Sequence, residues 1–224
     1  MNSSALAARF VRGPHITASS TAEHRLGDWL AELEPAQSAE IGAWLDLPPA
    51  RAILLGIAEF SPYLFDLIRA DPGRLARLLA CDPEPHLAAL IEKTSRDVLA
   101  AGSEADVMHL LRRMKAEAAL MIALCDIGGV WPVMRVTAAL TDVAVSSVRA
   151  ALQYLLRQEA ARGKLSPPNP EAPPARPRVV AFGDSLTIGL GLLDVKRIRV
   201  ADMLPALLVA PAVAAISRAA GWGL

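Results

Sequence analysis

Residues 176–191 read RPRVVAFGDSLTIGLG. An apolar run, Val179–Phe182, meets a glycine-rich turn at Gly183-Asp184-Ser185-Leu186, and the Ser185 hydroxyl becomes a nucleophile only if other residues activate it. Ser185 would need a histidine to take its proton, an acid to orient that histidine and donors to hold the oxyanion. All four histidines, His15, His24, His86 and His109, precede it, and Leu186–Leu224 holds neither histidine nor asparagine. Gly183, Gly189 and Gly191 raise a second chemistry, a phosphate cradle. Their spacing matches neither G-x-x-x-x-G-K-[ST] nor G-x-G-x-x-G and reads as a flexible turn.

Other reactive types are sparse. Cys81 and Cys125 lie on apolar helical stretches and read as small buried hydrophobes; two cysteines make no disulfide framework, so a reducing cytoplasm is the expected compartment. His109 has no second ligand at helical spacing, and Arg112, Arg113 and Lys115 read as a solvated helix face. Trp131, after Gly128-Gly129, is expected to anchor a turn between two helices.

The elements that must position these residues are helices. With 224 residues, 53% of them hydrophobic, the chain can bury a large core, and 23 basic against 23 acidic residues give no field that would recruit nucleic acid. Arg9, Arg12 and His15 are followed by no continuous apolar run, so residues 1–21 read as a flexible leader and not a secretory signal. From 22 to 163 the punctuation is helical. Ser61-Pro62, Asp71-Pro72 and Asp82-Pro83 each set a capping side chain before a proline, predicting helix starts at 62, 72 and 83. Ser103-Glu104-Ala105-Asp106 predicts a capped start to a longer helix. Val107, Leu110, Leu111, Met114, Ala118, Met121 and Cys125 form its apolar face. Gly128-Gly129 ends that helix, and Trp131-Pro132 opens another that reaches about residue 161.

Residues 164–178 form a proline-rich linker, with six prolines in SPPNPEAPPARP alone. Residues 179–224 supply one short strand, Val179–Phe182, and an apolar tail without a complete second domain. Met203–Ile216 is the longest apolar part, and Pro205 and Pro211 interrupt it, so no membrane span is expected. The fold class is an all-α helical bundle followed by this linker and tail.

Two resemblances bear on function. Gly183-Asp184-Ser185-Leu186 resembles the opening block of the GDSL (SGNH) serine esterases, in which Ser185 would be the nucleophile. That fold needs more strands and helices than follow Ser185, so esterase activity is not the leading expectation. FSPYLFDLIRADPGRLARLLACDP (60–83) and LRRMKAEAALMIALCDIGGVWPVMRVTAALTDVAVSSVRAAL (111–152), in that order, resemble the bacterial glutamine synthetase adenylyltransferase/adenylyl-removing family, near its amino-terminal end. The likeness runs from about Pro48 through KLSPPNPE (164–171).

That resemblance implies AMP transfer from ATP to a tyrosine of glutamine synthetase and its phosphorolytic removal, with PII proteins setting the balance. It also implies ATP and Mg²⁺, the metal held by a D-x-D pair on one strand face. In this chain Asp194 is followed by Lys196 where a second aspartate is needed, Asp202 stands alone, and no D-x-D occurs. No catalytic residue is therefore carried over. The expectation is a truncated member of the family, inactive alone and binding no cofactor itself. The rival is a non-enzymatic helical module that retains a grip on glutamine synthetase or PII.

Overall fold

A computed structural model of the chain describes residues 4–16 and 19–163. Among them are eight α-helices and no strand, in keeping with the expected all-α class: α1 (Ser19–Glu32), α2 (Pro35–Leu45), α3 (Pro48–Phe60), α4 (Pro62–Ala70), α5 (Pro72–Ala80), α6 (Pro83–Ala100), α7 (Glu104–Ile127) and α8 (Val133–Ala161). The expected linker, the strand expected at 179–182, Ser185 and the apolar tail lie outside the described residues.

The prolines act as the local chemistry requires. Proline at the first helical position lacks only an N–H that had no helical acceptor, and its φ is already helical. The preceding side chain then takes an orphan donor: Ser61 Oγ accepts from Leu64 N at 3.4 Å and Asp71 Oδ1 from Arg74 N at 2.9 Å. Ser103 Oγ accepts from Asp106 N at 3.1 Å and donates to the Asp106 carboxylate at 2.7 Å, so α7 begins at its predicted cap. It ends at Gly129 in the left-handed region (φ 68°), where Val130 N bonds Cys125 O and Gly129 N bonds Asp126 O. Those two bonds close the last carbonyls of a helix, and glycine adopts the required φ without a Cβ clash.

The described residues form two compact units where the sequence suggests one helical domain. One unit takes in residues 4–16, 19–92 and 112–138; the other takes in 93–111 and 139–163. In the first, α1 packs on α3, α2 on α3 and α5, and α4 on α3 and α5. Its core includes Ile41, Ile53, Ile57, Ile68, Leu75, Leu78 and Leu79, all buried. In the second, Val98, Val107, Ala150, Tyr154 and Leu155 form a smaller cluster with Ala101, Leu110 and Leu111 packed against it. At 1.5 Å per residue, α7 runs ~36 Å and α8 ~43 Å, and each contributes residues to both units.

Two expectations need correction. The predicted apolar face of α7 is buried at Val107, Met114, Ala118, Met121 and Cys125, but Leu120, Ile122 and Leu124 are buried too. The carboxyl half of α7 is thus buried over a wider face than a single stripe, with Ala119 and Ala123 half-buried and Asp126 exposed on the remaining side. The second correction concerns the leader. Ala5, Leu6, Ala7 and Phe10 are buried, Leu6–Arg9 makes one 3-10 turn packed on α5, and α1 already begins at Ser19. These apolar side chains gain a partner surface that only the folded helices supply.

No single helix among the described residues is long and apolar enough to cross a membrane. The α2–α3 pair passes on length and composition together but bends by 114°, and much of α3 is core.

Candidate functional site

The candidate nucleophiles in the described region are held unreactive. Burial pushes the Cys125 thiol up to about 12, and burial with the nearby Asp82 and Glu117 carboxylates pushes Cys81 up to about 11. A thiol reacts through its thiolate, so both are protonated and inert near neutrality; Cys125 is buried as its reading as a small hydrophobe implies, while Cys81 is only half-buried. His109 and His15 are exposed; His86 Nε2 lies 2.8 Å from Glu117 Oε1. That hydrogen bond, ahead of opposing desolvation, holds the Glu117 carboxyl below its usual range. Arg112 and Arg113 are exposed and Lys115 is half-buried.

A charged node not visible in the sequence sits where the amino-terminal segment meets α6. Arg9 Nη1 and Nη2 donate to Glu84 at 2.6 and 2.8 Å, and Nη1 also reaches Asp82 Oδ1 at 3.2 Å. Buried Trp131 donates its Nε1–H to Glu84 Oε1 at 2.7 Å, and the Arg135 guanidinium lies 4.6 Å above the Trp131 ring. Trp131 thus anchors the α7–α8 turn as expected, and its tether is a carboxylate 47 residues earlier. The Arg9 fork holds the Glu84 carboxyl well below the ordinary carboxylate range. Asp82 moves upward, chiefly through its hydrogen bond with Glu84. A carboxylate with three donors already in place, ionised throughout the neutral range, clamps; it does not shuttle protons.

The first unit also carries an open cleft of about 430 Å³ between α1 and α4. Trp29 and Phe65 floor it, their rings edge-to-face at 6.2 Å between centroids. Asp28, Glu32, Asp66 and Arg69 rim it, while Arg25 turns its guanidinium onto Ala58 O. Phe60 and Tyr63, 57% and 55% exposed, stand at the α3–α4 joint beside Pro62 of the cleft wall. Exposed charge over an aromatic floor suits contact with a polar or cationic side chain and supplies no activated nucleophile.

Among the described residues, the side chains present offer no set of donors for the Mg²⁺ that the resemblance implies: no three His, Cys, Asp or Glu side chains cluster to hold a metal ion. Beyond them the chain sets Lys196 two residues after Asp194. Ser185 and Gly183, Gly189 and Gly191 lie outside the described residues.

The clamp and cleft are built on helices whose sequence has close relatives. The family model of glutamate-ammonia ligase adenylyltransferase matches residues 52–192. The match begins close to the expected Pro48 and runs past residue 171 to take in Gly183-Asp184-Ser185-Leu186, so the hydrolase-like block lies inside it. The chain is 76% identical over 168 residues to the bifunctional glutamine synthetase adenylyltransferase/adenylyl-removing enzyme of Bradyrhizobium diazoefficiens, covering 75% of this chain and 17% of that protein. It is 68% identical over 170 residues to the protein of the same description in Bradyrhizobium sp. ORS 278, covering 76% and 17%. For that of Xanthobacter autotrophicus the identity is 49% over 155 residues, covering 69% and 16%. The chain thus spans about 17% of the length of these curated relatives. No solved structure matches it. With the family model covering more than half of its residues, the chain belongs to the glutamate-ammonia ligase adenylyltransferase family.

Proposed function

We propose that this chain is the helical front of a bifunctional glutamine synthetase adenylyltransferase/adenylyl-removing enzyme and is catalytically silent by itself. The observation that carries the family reading is 76% identity over 168 residues to a protein of that description. In the complete enzyme the substrates are ATP and a tyrosine of glutamine synthetase, with phosphate as co-substrate of removal and PII as regulatory partner, in the cytoplasm. The helices of this chain serve there as a scaffold and a docking surface for glutamine synthetase. Silence follows from the donors: a nucleotidyl-transfer site needs paired carboxylates for its metal, and the sequence has no D-x-D, with Lys196 repelling the cation beside Asp194.

Two experiments separate the parts of this reading. Purified chain is incubated with phosphate, Mg²⁺ and adenylylated glutamine synthetase, and ADP release is followed; none is expected above the protein-free control. Release at enzymatic rates overturns the claim of silence. Residues 1–171 are then grafted in place of the matching segment of the Bradyrhizobium diazoefficiens relative. The graft is expected to keep ADP release within a few-fold of the parent, and loss of activity in a folded graft refutes the scaffold role.

A further inference from the structure

The amino-terminal segment sits on the first unit as a peptide sits in a recognition groove. Its backbone is held at three places: Leu6 N donates to Cys81 O at 2.7 Å, and Val11 N and Arg12 N donate to Gly128 O at 2.9 and 3.4 Å. Its side chains fill sockets left by missing Cβ atoms. A Cβ on Gly128 would collide with the Phe10 ring, and one on Gly56 would collide with Pro14. In the other direction, a Cβ on Gly13 of the segment would stand 2.5 Å from Ala52 Cβ. Arg9 supplies a forked ion pair to Glu84 with a further contact to Asp82. Aromatic anchor, arginine fork, proline in a glycine socket and main-chain hydrogen bonds are the components by which grooves recognise extended peptides.

We infer that the face of the first unit made by α3, the start of α6 and the α7–α8 turn is a peptide-binding groove. It is specific for an Arg-Phe-x-x-Gly-Pro segment, and the chain's own residues 9–14 are a separable ligand in it. The occupant is this chain's own segment because every socket matches a residue of it. Glu84 Oε1 receives both Arg9 and Trp131, so vacating the groove removes the Arg9 donors from the carboxylate that tethers Trp131 and loosens the α7–α8 turn.

The test nicks the whole chain. A protease site is inserted between Ile16 and Ser19 and cut in the folded protein, and competition with synthetic residue 1–16 peptides is read by fluorescence anisotropy. The natural peptide is expected to stay bound and to exchange with a labelled copy. Arg9→Ala and Phe10→Ala peptides are expected to compete at least ~10-fold more weakly, the loss typical of a charge-assisted fork or an apolar anchor. Gly56→Ala in the body discriminates further, because the three nearest atoms to its new Cβ all belong to Pro14. It should weaken the natural peptide, and a Pro14→Gly peptide should recover affinity. Loss of helicity on nicking shows the segment to be an inseparable part of the fold and overturns the inference. So does a released peptide that fails to rebind a still-helical body, or equal competition by all peptides. If the inserted site itself prevents folding, hydrogen exchange on the uncut chain decides. Faster exchange at residues 6–14 in Gly56→Ala, restored in Gly56→Ala with Pro14→Gly, is the expected result; unchanged exchange in the single variant overturns it.

Discussion

A double-mutant cycle on Arg9 and Glu84 measures how firmly the amino-terminal segment is clamped. The pair is a bidentate fork at 2.6 and 2.8 Å with side chains 31% and 41% exposed, between a surface pair and a buried one. Exposed pairs couple by ~0.2–1 kcal/mol, and breaking a buried pair costs ~3–5 kcal/mol. Charge centres ~4 Å apart at an effective dielectric near 20 attract by ~4 kcal/mol. Solvent screening and the entropy of fixing an arginine remove more than half of that, leaving a coupling of about 1.5–2 kcal/mol. Arg9→Ala, Glu84→Ala and the double variant are unfolded in urea, and the coupling is the non-additive part of their losses. The Arg9 loss should nearly vanish in the Glu84→Ala background, with Asp82 accounting for what remains. Coupling under ~0.5 kcal/mol would refute the reasoning, placing the fork among exposed pairs that contribute little.

Further outcomes follow from the same geometry. The Glu84 and Glu117 carboxyls are both held below their ordinary 4.5, so their stabilisation is complete above that pH and is lost as pH falls through it towards their folded values. Asp82, shifted upward, contributes with the opposite sign. Glu84→Gln and Glu117→Gln should each flatten the acid limb of a stability–pH curve below about pH 4.5, and an unchanged limb would contradict the assignment. Ser61→Ala and Asp71→Ala each remove a helix cap and should cost about 1 kcal/mol in urea melts, Asp71 somewhat more because Arg74 and Arg77 also reach its carboxylate. Cys81, pushed up to about 11, should react with a disulfide reagent at pH 8 about a hundredfold more slowly in the native chain than in urea, with Cys125 slower still. Rapid native labelling would show a thiol more open than the structure has it.

Much of this protein is legible in its residues because the physics involved is local. Serine or aspartate followed by proline, ahead of a helix-forming run, sets a helix start through groups only a few residues away, and α4, α5 and α6 start at Pro62, Pro72 and Pro83. Gly128-Gly129 ends α7 for an equally local reason, a φ that glycine alone adopts freely. The family is legible too, since the order of its helical segments is a property of the chain. The clamp is not. Arg9 and Glu84 are 75 residues apart, Glu84 and Trp131 are 47 apart, and no spacing rule links them. The amino-terminal residues read as a leader because ALAARF offers no periodic face of its own; Leu6 and Phe10 become core only where Cys81 O, Gly128 and the surrounding helices receive them. Enclosure of α7 beyond one stripe, and the division into two units, likewise depend on which helices meet. Helix starts and stops are set by backbone hydrogen bonds a few residues away, so the sequence by itself determined them. Which polar groups share a partner depends on surfaces that exist only after the helices pack, and that was left to the tertiary structure.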